Sequence, residues 1–178
     1  MTWFSNIYRR FIASTRGVAA IEFAFILPVM LVLLLASFDA SRAIAIYMKV
    51  RAANSALATI SNQFTTIHDA DKTEILGATS SVLAPYSSSP IVAAMSELQL
   101  TGSGQAKVIW SDALNGTPLT VGSTVSIPTA FTNSYLVLCS VSYTYTPFFT
   151  FFISHPITLS DSLYTIPRTG ASITRTSP

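Results

Sequence analysis

The chain has 178 residues, of which 50% are hydrophobic and only 10% are charged, enough for one modest domain and an appendage. An average soluble domain is about 25% charged, so we expect part of this chain to meet something other than water. Residues 52–178 hold four basic and six acidic side chains. Because no basic stripe there could neutralise phosphates, we do not expect nucleic-acid binding.

Residues 18–38 form an apolar run of 21 residues in which Glu22 is the single charge. As a helix the run spans about 31 Å, so it is predicted to cross a bilayer. It is longer than the apolar part of a secretory signal, and the best cleavage candidate after it, Ser41-Arg42-Ala43, contains a charge. Removal by signal peptidase is the alternative. The basic N-terminal tail favours a cytoplasmic N-terminus and an exported C-terminal part.

Glu22 lies early in the apolar run, where an ionised carboxylate is costly unless it is paired or reaches the headgroups. One interpretation is that Glu22 simply reaches the interface. The other depends on its context, Arg16-Gly17-Val18-Ala19-Ala20-Ile21-Glu22-Phe23 followed by Leu27-Pro28-Val29. This string resembles the prepilin processing site of Flp pilins and of the TadE-like minor pilins of tight-adherence pili.

In that family a membrane aspartic peptidase cuts after the glycine, and a glutamate and an aromatic residue stand fifth and sixth after the cut. The resemblance implies a basic leader of residues 1–17, cleavage between Gly17 and Val18, and a role in subunit assembly for Glu22 and Phe23. Cleavage would create an α-amino group on Val18. A carboxylate one turn later is suitably placed to meet such an amine on a neighbouring subunit.

The resemblance covers roughly residues 9–60, including Phe38-Asp39-Ala40-Ser41-Arg42, and is absent from residues 68–133. It implies a minor pilin or pseudopilin that helps to assemble or prime a tight-adherence type IV pilus, without cofactor, metal or catalytic residues. The implied partners are the prepilin peptidase, other pilin subunits, the inner-membrane assembly platform and the lipid bilayer. The implied location is the bacterial inner membrane, single-pass, with the C-terminal domain periplasmic. Incorporation into the extracellular pilus, and the position there, stay open.

Two alternatives belong to other classes of protein. One is an uncleaved single-span inner-membrane scaffold with a periplasmic β-rich domain, and the other is a secreted domain or enzyme released by signal peptidase. The sequence contains no G-x-S-x-G, G-x-x-x-x-G-K-[ST], G-x-G-x-x-G or H-E-x-x-H motif. Its two histidines, His68 and His155, have no matched set of partner residues. We therefore do not expect an enzyme.

Beyond the apolar run, apolar residues recur at alternating spacings of four and three: Ile46, Val50, Ala53, Leu57, Ile60, Phe64 and Ile67. This seam predicts that residues 39–67 continue the helix as an amphipathic segment. The seam either packs on the chain's own C-terminal domain or packs between subunits. The two possibilities are compatible.

Residues 68–96 are predicted to form a helical connector. The cluster His68-Asp69-Ala70-Asp71 resembles a set of metal ligands, but Asp71 followed by Glu74 is typical of a capping box that opens a helix ending before Pro85. Further on, Ser89 followed by Pro90 predicts the N-cap and first residue of another helix.

Residues 97–167 are predicted to form an antiparallel β-rich domain, and residues 168–178 a disordered tail. A hairpin is expected on either side of residues 102–104, a strand at residues 135–145 and a last strand at residues 157–166. The fold class is therefore α+β, with a long N-terminal helix packed on a small antiparallel sheet. The resemblance implies that this fold is type IV pilin-like.

Two features of the β-rich region have alternative interpretations. Cys139 is the only cysteine, and its place in an alternating strand favours a small buried hydrophobe over an intermolecular disulfide. The dense aromatic group after Pro147 either fills the core, which we favour, or forms an exposed patch. Its members are Phe148, Phe149, Phe151 and Phe152.

Overall fold

The structure is a computed structural model that describes residues 16–102, 104–128, 131, 134–149, 154–168 and 171–176. Its elements are α1 (Arg16–Ser61), β1 (Thr66–Ile67), α2 (Asp69–Val82), β2 (Ile91–Gly102), β3 (Gln105–Leu114), β4 (Thr124–Ser126), β5 (Tyr135–Tyr145), β6 (Ile157–Thr165) and β7 (Thr174–Arg175). The fold class is α+β, as predicted. The chain divides into two compact units, Met1–Ser41 and Arg42–Pro178.

In the first unit, the described residues belong to α1 and expose nearly all of their apolar side chains. A helix satisfies its backbone hydrogen bonds internally, which is the condition for crossing a hydrocarbon layer. Among the described residues, α1 is the one helix long and apolar enough to cross a membrane. Pro28 lies inside it, and membrane helices tolerate such a proline. These properties fit a bilayer anchor.

In the second unit, residues 42–61 of α1 pack on the sheet. One core cluster buries the first four residues of the seam, Ile46, Val50, Ala53 and Leu57. The same cluster contains residues of α2, β2 and β5. The interpretation that the seam packs on the chain's own domain is therefore confirmed. Burial of these side chains stabilises the helix far more than its intrinsic propensity does.

The helix ends at Ser61, so the prediction that it continues to residue 67 is wrong. The Ser61 hydroxyl donates to the Leu57 carbonyl at 2.7 Å, and the chain then turns into β1. Thr66 and Ile67 are β-branched and favour extended backbone, and they pair in parallel with β7. Ile67 is still buried, which explains why the apolar seam extends past the end of the helix.

The next helix, α2, begins earlier than its capping pattern predicts. His68, not Asp71, is the N-cap residue. Asp71 is the third helical residue, and its carboxylate accepts a hydrogen bond of 2.9 Å from the backbone N–H of His68. A carboxylate in the first turn also interacts favourably with the helix dipole. As predicted, α2 ends before Pro85.

The predicted helix after Ser89 is wrong, because β2 begins at Ile91. The helical connector therefore gives way to a strand inside residues 68–96. Two β-branched residues, Ile91 and Val92, open this strand and favour extended backbone. Residues 91–99 of this strand pair with β5. The hydrogen bonds of this pairing stabilise the segment as a strand and not as a helix.

The main sheet has the strand order β4-β3-β2-β5-β6, and all neighbouring strands are antiparallel. The predicted hairpin, the strand at residues 135–145 and the last strand are confirmed as β2–β3, β5 and β6. Gly104 in the hairpin turn has a φ of 74°, a left-handed conformation that favours glycine. One face of the sheet carries the cluster that buries α1. A second cluster contains Leu98, Val108 and Leu136.

Residues 171–176, which we call the C-terminal strap, are ordered in the second unit. The prediction of a disordered tail is therefore wrong for them. Ile173 is buried, and its carbonyl accepts a hydrogen bond of 2.8 Å from Trp110 Nε1. Its N–H donates to the Glu97 carboxylate at 2.6 Å. An apolar anchor within a Ser/Thr-rich segment thus fixes the strap.

Candidate processing and assembly segment

The four residues that the sequence singles out, Gly17, Val18, Glu22 and Phe23, lie in the first turns of α1. All four are exposed. Val18 and Glu22 are four positions apart, so their side chains lie on one face of the helix, one turn from each other.

A Cβ built on Gly17 meets no atom of the described part of the chain within 4 Å. Packing among the described residues therefore does not require glycine here. Gly17 has helical backbone, and a protease that holds an extended substrate would have to unwind the first turn. Helix ends fray readily, so this unwinding costs little. A glycine keeps such a backbone free of side-chain bulk.

Glu22 is a carboxylate on an otherwise apolar helix surface. In hydrocarbon, an ionised carboxylate costs several kcal/mol unless a partner or the interface receives it. The exposed position leaves this side chain accessible to a group outside the chain. A cationic partner would reduce the cost of burying it, and an α-amino group is such a partner.

These residues begin a segment that is similar to a known family. A family model described as TadE-like protein matches residues 17–58. This segment is TadE-like. The match confirms the resemblance predicted from the sequence, and it starts at Gly17 and includes Glu22 and Phe23. All strands of the second unit lie outside the TadE-like segment. No curated protein and no solved structure matches the chain.

The TadE-like segment also carries a feature that the sequence analysis missed. Six exposed side chains lie on the face of α1 that points away from the seam, and we call them the outer stripe: Ile44, Tyr47, Met48, Arg51, Ala52 and Ser55. Met48 is 67% exposed. The signal was present in the sequence, since three large apolar residues, Ile44, Tyr47 and Met48, lie outside the seam positions and a single buried face does not account for them.

The cluster at His68-Asp69-Ala70-Asp71 has internal roles. The Asp71 carboxylate accepts a hydrogen bond from the N-cap backbone N–H of His68, and Asp69 forms an ion pair with Arg175 of the strap. Arg175 also pairs with Asp112 at 2.7 Å, and Lys72 lies 3.2 Å from Asp112. The hydrogen bond from Arg175 lowers the pKa of Asp69 below its ordinary value. Among the described residues, no group of three His, Cys, Asp or Glu side chains is placed to hold a metal.

The aromatic group after Pro147 is only partly described. Phe148 is 69% exposed, so the expectation that the group fills the core is wrong for this residue. Its ring makes an edge contact with Phe149, with centroids 5.0 Å apart. Phe151 and Phe152 lie outside the described residues.

Proposed function

We propose that the chain is a pilin-like component of a tight-adherence pilus, a minor pilin that a prepilin peptidase processes and that takes part in assembly or priming of the pilus. One observation carries the proposal: the TadE-like match starts at the predicted cleavage residue, Gly17, on an exposed apolar helix long enough to span a bilayer. Its role is structural, and its residues act by anchoring and packing.

In this proposal residues 1–17 stay on the cytoplasmic side until cleavage, and the second unit lies in the periplasm. Cleavage after Gly17 leaves a positive α-amino group on Val18. Glu22 of one subunit then pairs with the α-amino group of a neighbour, which neutralises both charges inside the apolar helix bundle. Phe23 adds aromatic contact area beside this pair.

The outer stripe supports contact with other subunits. Its apolar members follow the membrane-spanning run on the same helix, and they are exposed although the opposite face of α1 is buried. Apolar side chains that remain exposed as a contiguous stripe mark an interaction surface. Helices of other pilin subunits are the proposed occupants of this surface.

The processing step is tested by Gly17→Leu, which should keep residues 1–17 attached. The intact mass and N-terminal sequence of the protein from host membranes give the readout, with Val18 as the first residue of the wild type. Gly77→Leu is the matched control, because a Cβ at Gly77 also meets no atom within 4 Å. It should be processed normally. A wild-type protein that starts at Met1 would support the uncleaved scaffold instead.

A further inference from the structure

A cleft of about 330 Å³ lies wholly within the second unit, where residues of α1, the loop before β2 and the end of β5 meet. Its chemistry comes from one guanidinium and several hydroxyl groups: Arg42, Tyr86, Ser87, Tyr143, Thr144 and Tyr145. No acidic side chain is among the described residues that line it. The sequence analysis missed the cleft, since three distant segments build it.

The lining favours an anion with several acceptor oxygens. Guanidinium offers donors in a planar fork that fits phosphate, and the tyrosine, serine and threonine hydroxyls add neutral donors around it. Burial raises the pKa of the Tyr143 hydroxyl, and the positive charge of Arg42 opposes that rise. The guanidinium therefore acts electrostatically on the interior of the cleft.

The sequence position of Arg42 indicates where such an anion comes from. Arg42 follows Phe38, the last residue of the apolar run, by four positions, which is about 6 Å of helix. The headgroup layer on each side of a bilayer is about 5 to 8 Å thick. Tyrosine is also enriched at this depth. With the apolar run in a membrane, Arg42 lies among lipid headgroups.

We propose that this cleft binds a phosphate ester, carried by the headgroup of a membrane phospholipid. The volume lies at the small end of the range of ligand pockets, which fits one headgroup. The inference rests on membrane anchoring by α1, as in the proposed function, but not on processing or pilus assembly. Aromatic residues such as tyrosine also line grooves that bind extended, proline-rich peptides. Three features favour the lipid over a peptide. Arg42 is the cation of the cleft, no carboxylate is among the described lining residues, and Arg42 lies at the depth of the lipid headgroups.

The test measures phospholipid retained by the full-length protein, purified from membranes in mild detergent with added phosphatidylethanolamine and phosphatidylglycerol, by native mass spectrometry. Arg42→Gln should reduce the amount of retained phospholipid about tenfold, which is the effect of losing a charge-assisted hydrogen bond. Arg42→Lys keeps the charge and should retain more phospholipid than Arg42→Gln. Arg51→Gln is the matched control on the same helix. Arg51 is outside the cleft, and its ion pair with Asp161 is long, at 3.9 Å. Equal retention by Arg42→Gln and Arg51→Gln would overturn the proposal.

A second variant keeps Arg42 and fills the cleft. Thr144→Trp should lower phospholipid retention similarly, and unchanged retention by a folded Thr144→Trp protein would contradict the lipid site.

A photo-crosslinking residue at Thr146 should form adducts with phospholipid. Adducts with protein would identify a peptide partner instead, and displacement of lipid by millimolar inorganic phosphate would reassign the site to soluble phosphate. If the protein is recovered in the soluble fraction of cells and not in membranes, both membrane anchoring by α1 and the lipid site would be overturned.

Discussion

Two carboxylates, Glu97 and Glu22, lie beside apolar residues, and they differ in where their hydrogen-bonding or ion-pair partners come from. Glu97 is fully buried in the second unit, where the Ile173 N–H and the Ser172 hydroxyl donate to it at 2.6 and 3.0 Å. Glu22 is exposed on the apolar part of α1. The chain itself satisfies the first carboxylate. In the proposed pilus, a neighbouring subunit satisfies the second.

Glu22→Ala should separate processing from assembly. In the proposed processing the peptidase would act at Gly17, so the variant should still be cleaved. The α-amino group of Val18 would lose its proposed partner, and piliation should fall. N-terminal sequencing measures cleavage, and counting of pili by electron microscopy measures assembly. Glu74→Ala, which removes an exposed carboxylate from α2, is the control. Normal piliation of Glu22→Ala would refute the pairing.

Glu97→Gln should change how stability depends on pH. Burial raises the pKa of Glu97 above its ordinary value of 4.5, so the folded state holds this proton more tightly than the unfolded state. Stability from this group is complete below pH 4.5 and is lost as pH rises through the raised folded pKa. A glutamine can accept from the Ile173 N–H and donate to the Ser172 hydroxyl, and it does not titrate.

The measurement is the urea unfolding free energy of wild type and Glu97→Gln between about pH 4 and about pH 8. Trp110 reports on the fold, since it is the only tryptophan after residue 17. The wild type should lose stability relative to the variant as pH rises. Glu74→Gln, at an exposed site, should follow the wild type. Parallel curves for wild type and Glu97→Gln would contradict the effect of burial.

Among the elements, the C-terminal strap contributes more to the core than its composition indicates. It pairs β7 with β1, buries Ile173 and places Arg175 between Asp69 and Asp112. Because the strap is a short segment far from its partners in sequence, its order depends on these few contacts. Loss of one of them should weaken the whole second unit.

Ile173→Ala should destabilise the second unit by about 3 kcal/mol, because it removes a fully buried side chain and leaves a cavity. Thr174→Ala, whose side chain is exposed on the same strap, should change stability little. Urea unfolding followed by Trp110 fluorescence compares the two variants. The probe is direct, since Trp110 donates its hydrogen bond to the Ile173 carbonyl. Similar stabilities of the two variants would show that the strap is dispensable.

The elements differ in how well local sequence predicts them, and the reason is where their decisive contacts lie. The apolar run is nearly unbroken, and β5 alternates with a period of two over its whole length, so the sequence predicts both. The end of α1, the start of β2 and the strap depend on pairing between segments distant in the chain, which no local period records. The Gly17 and Glu22 motif was recognisable from its resemblance to a family processing site, whereas the cleft at Arg42 requires three segments to meet.

For the whole molecule, α1 has two functions that its sequence separates along its length. Residues 17–41 expose nearly all of their apolar side chains, as a lipid or helix-bundle environment requires. Residues 42–61 bury one face in the second unit and leave the outer stripe exposed. One continuous helix thus anchors the chain and also forms part of a folded domain. The outer stripe is the surface of that domain closest in sequence to the membrane run.

Met48→Cys should reveal whether the outer stripe is covered in the assembled pilus. The native Cys139 is buried, and burial raises the pKa of its thiol to about 12, so it should not react with maleimide in the folded protein. A cysteine at the exposed position 48 is then the single reactive thiol. It should label readily in detergent-solubilised protein and several times more slowly in membranes with assembled pili.

The control is Lys107→Cys, an exposed position on β3, which should label at the same rate in both states. Wild type should label in neither, which confirms that Cys139 is protected. Slower labelling at position 48 alone means that subunit contacts cover the outer stripe, since the fold of one chain leaves Met48 open. Equal labelling at position 48 in both states would mean that the stripe stays exposed after assembly, and the proposed helix packing would then be limited to the membrane run.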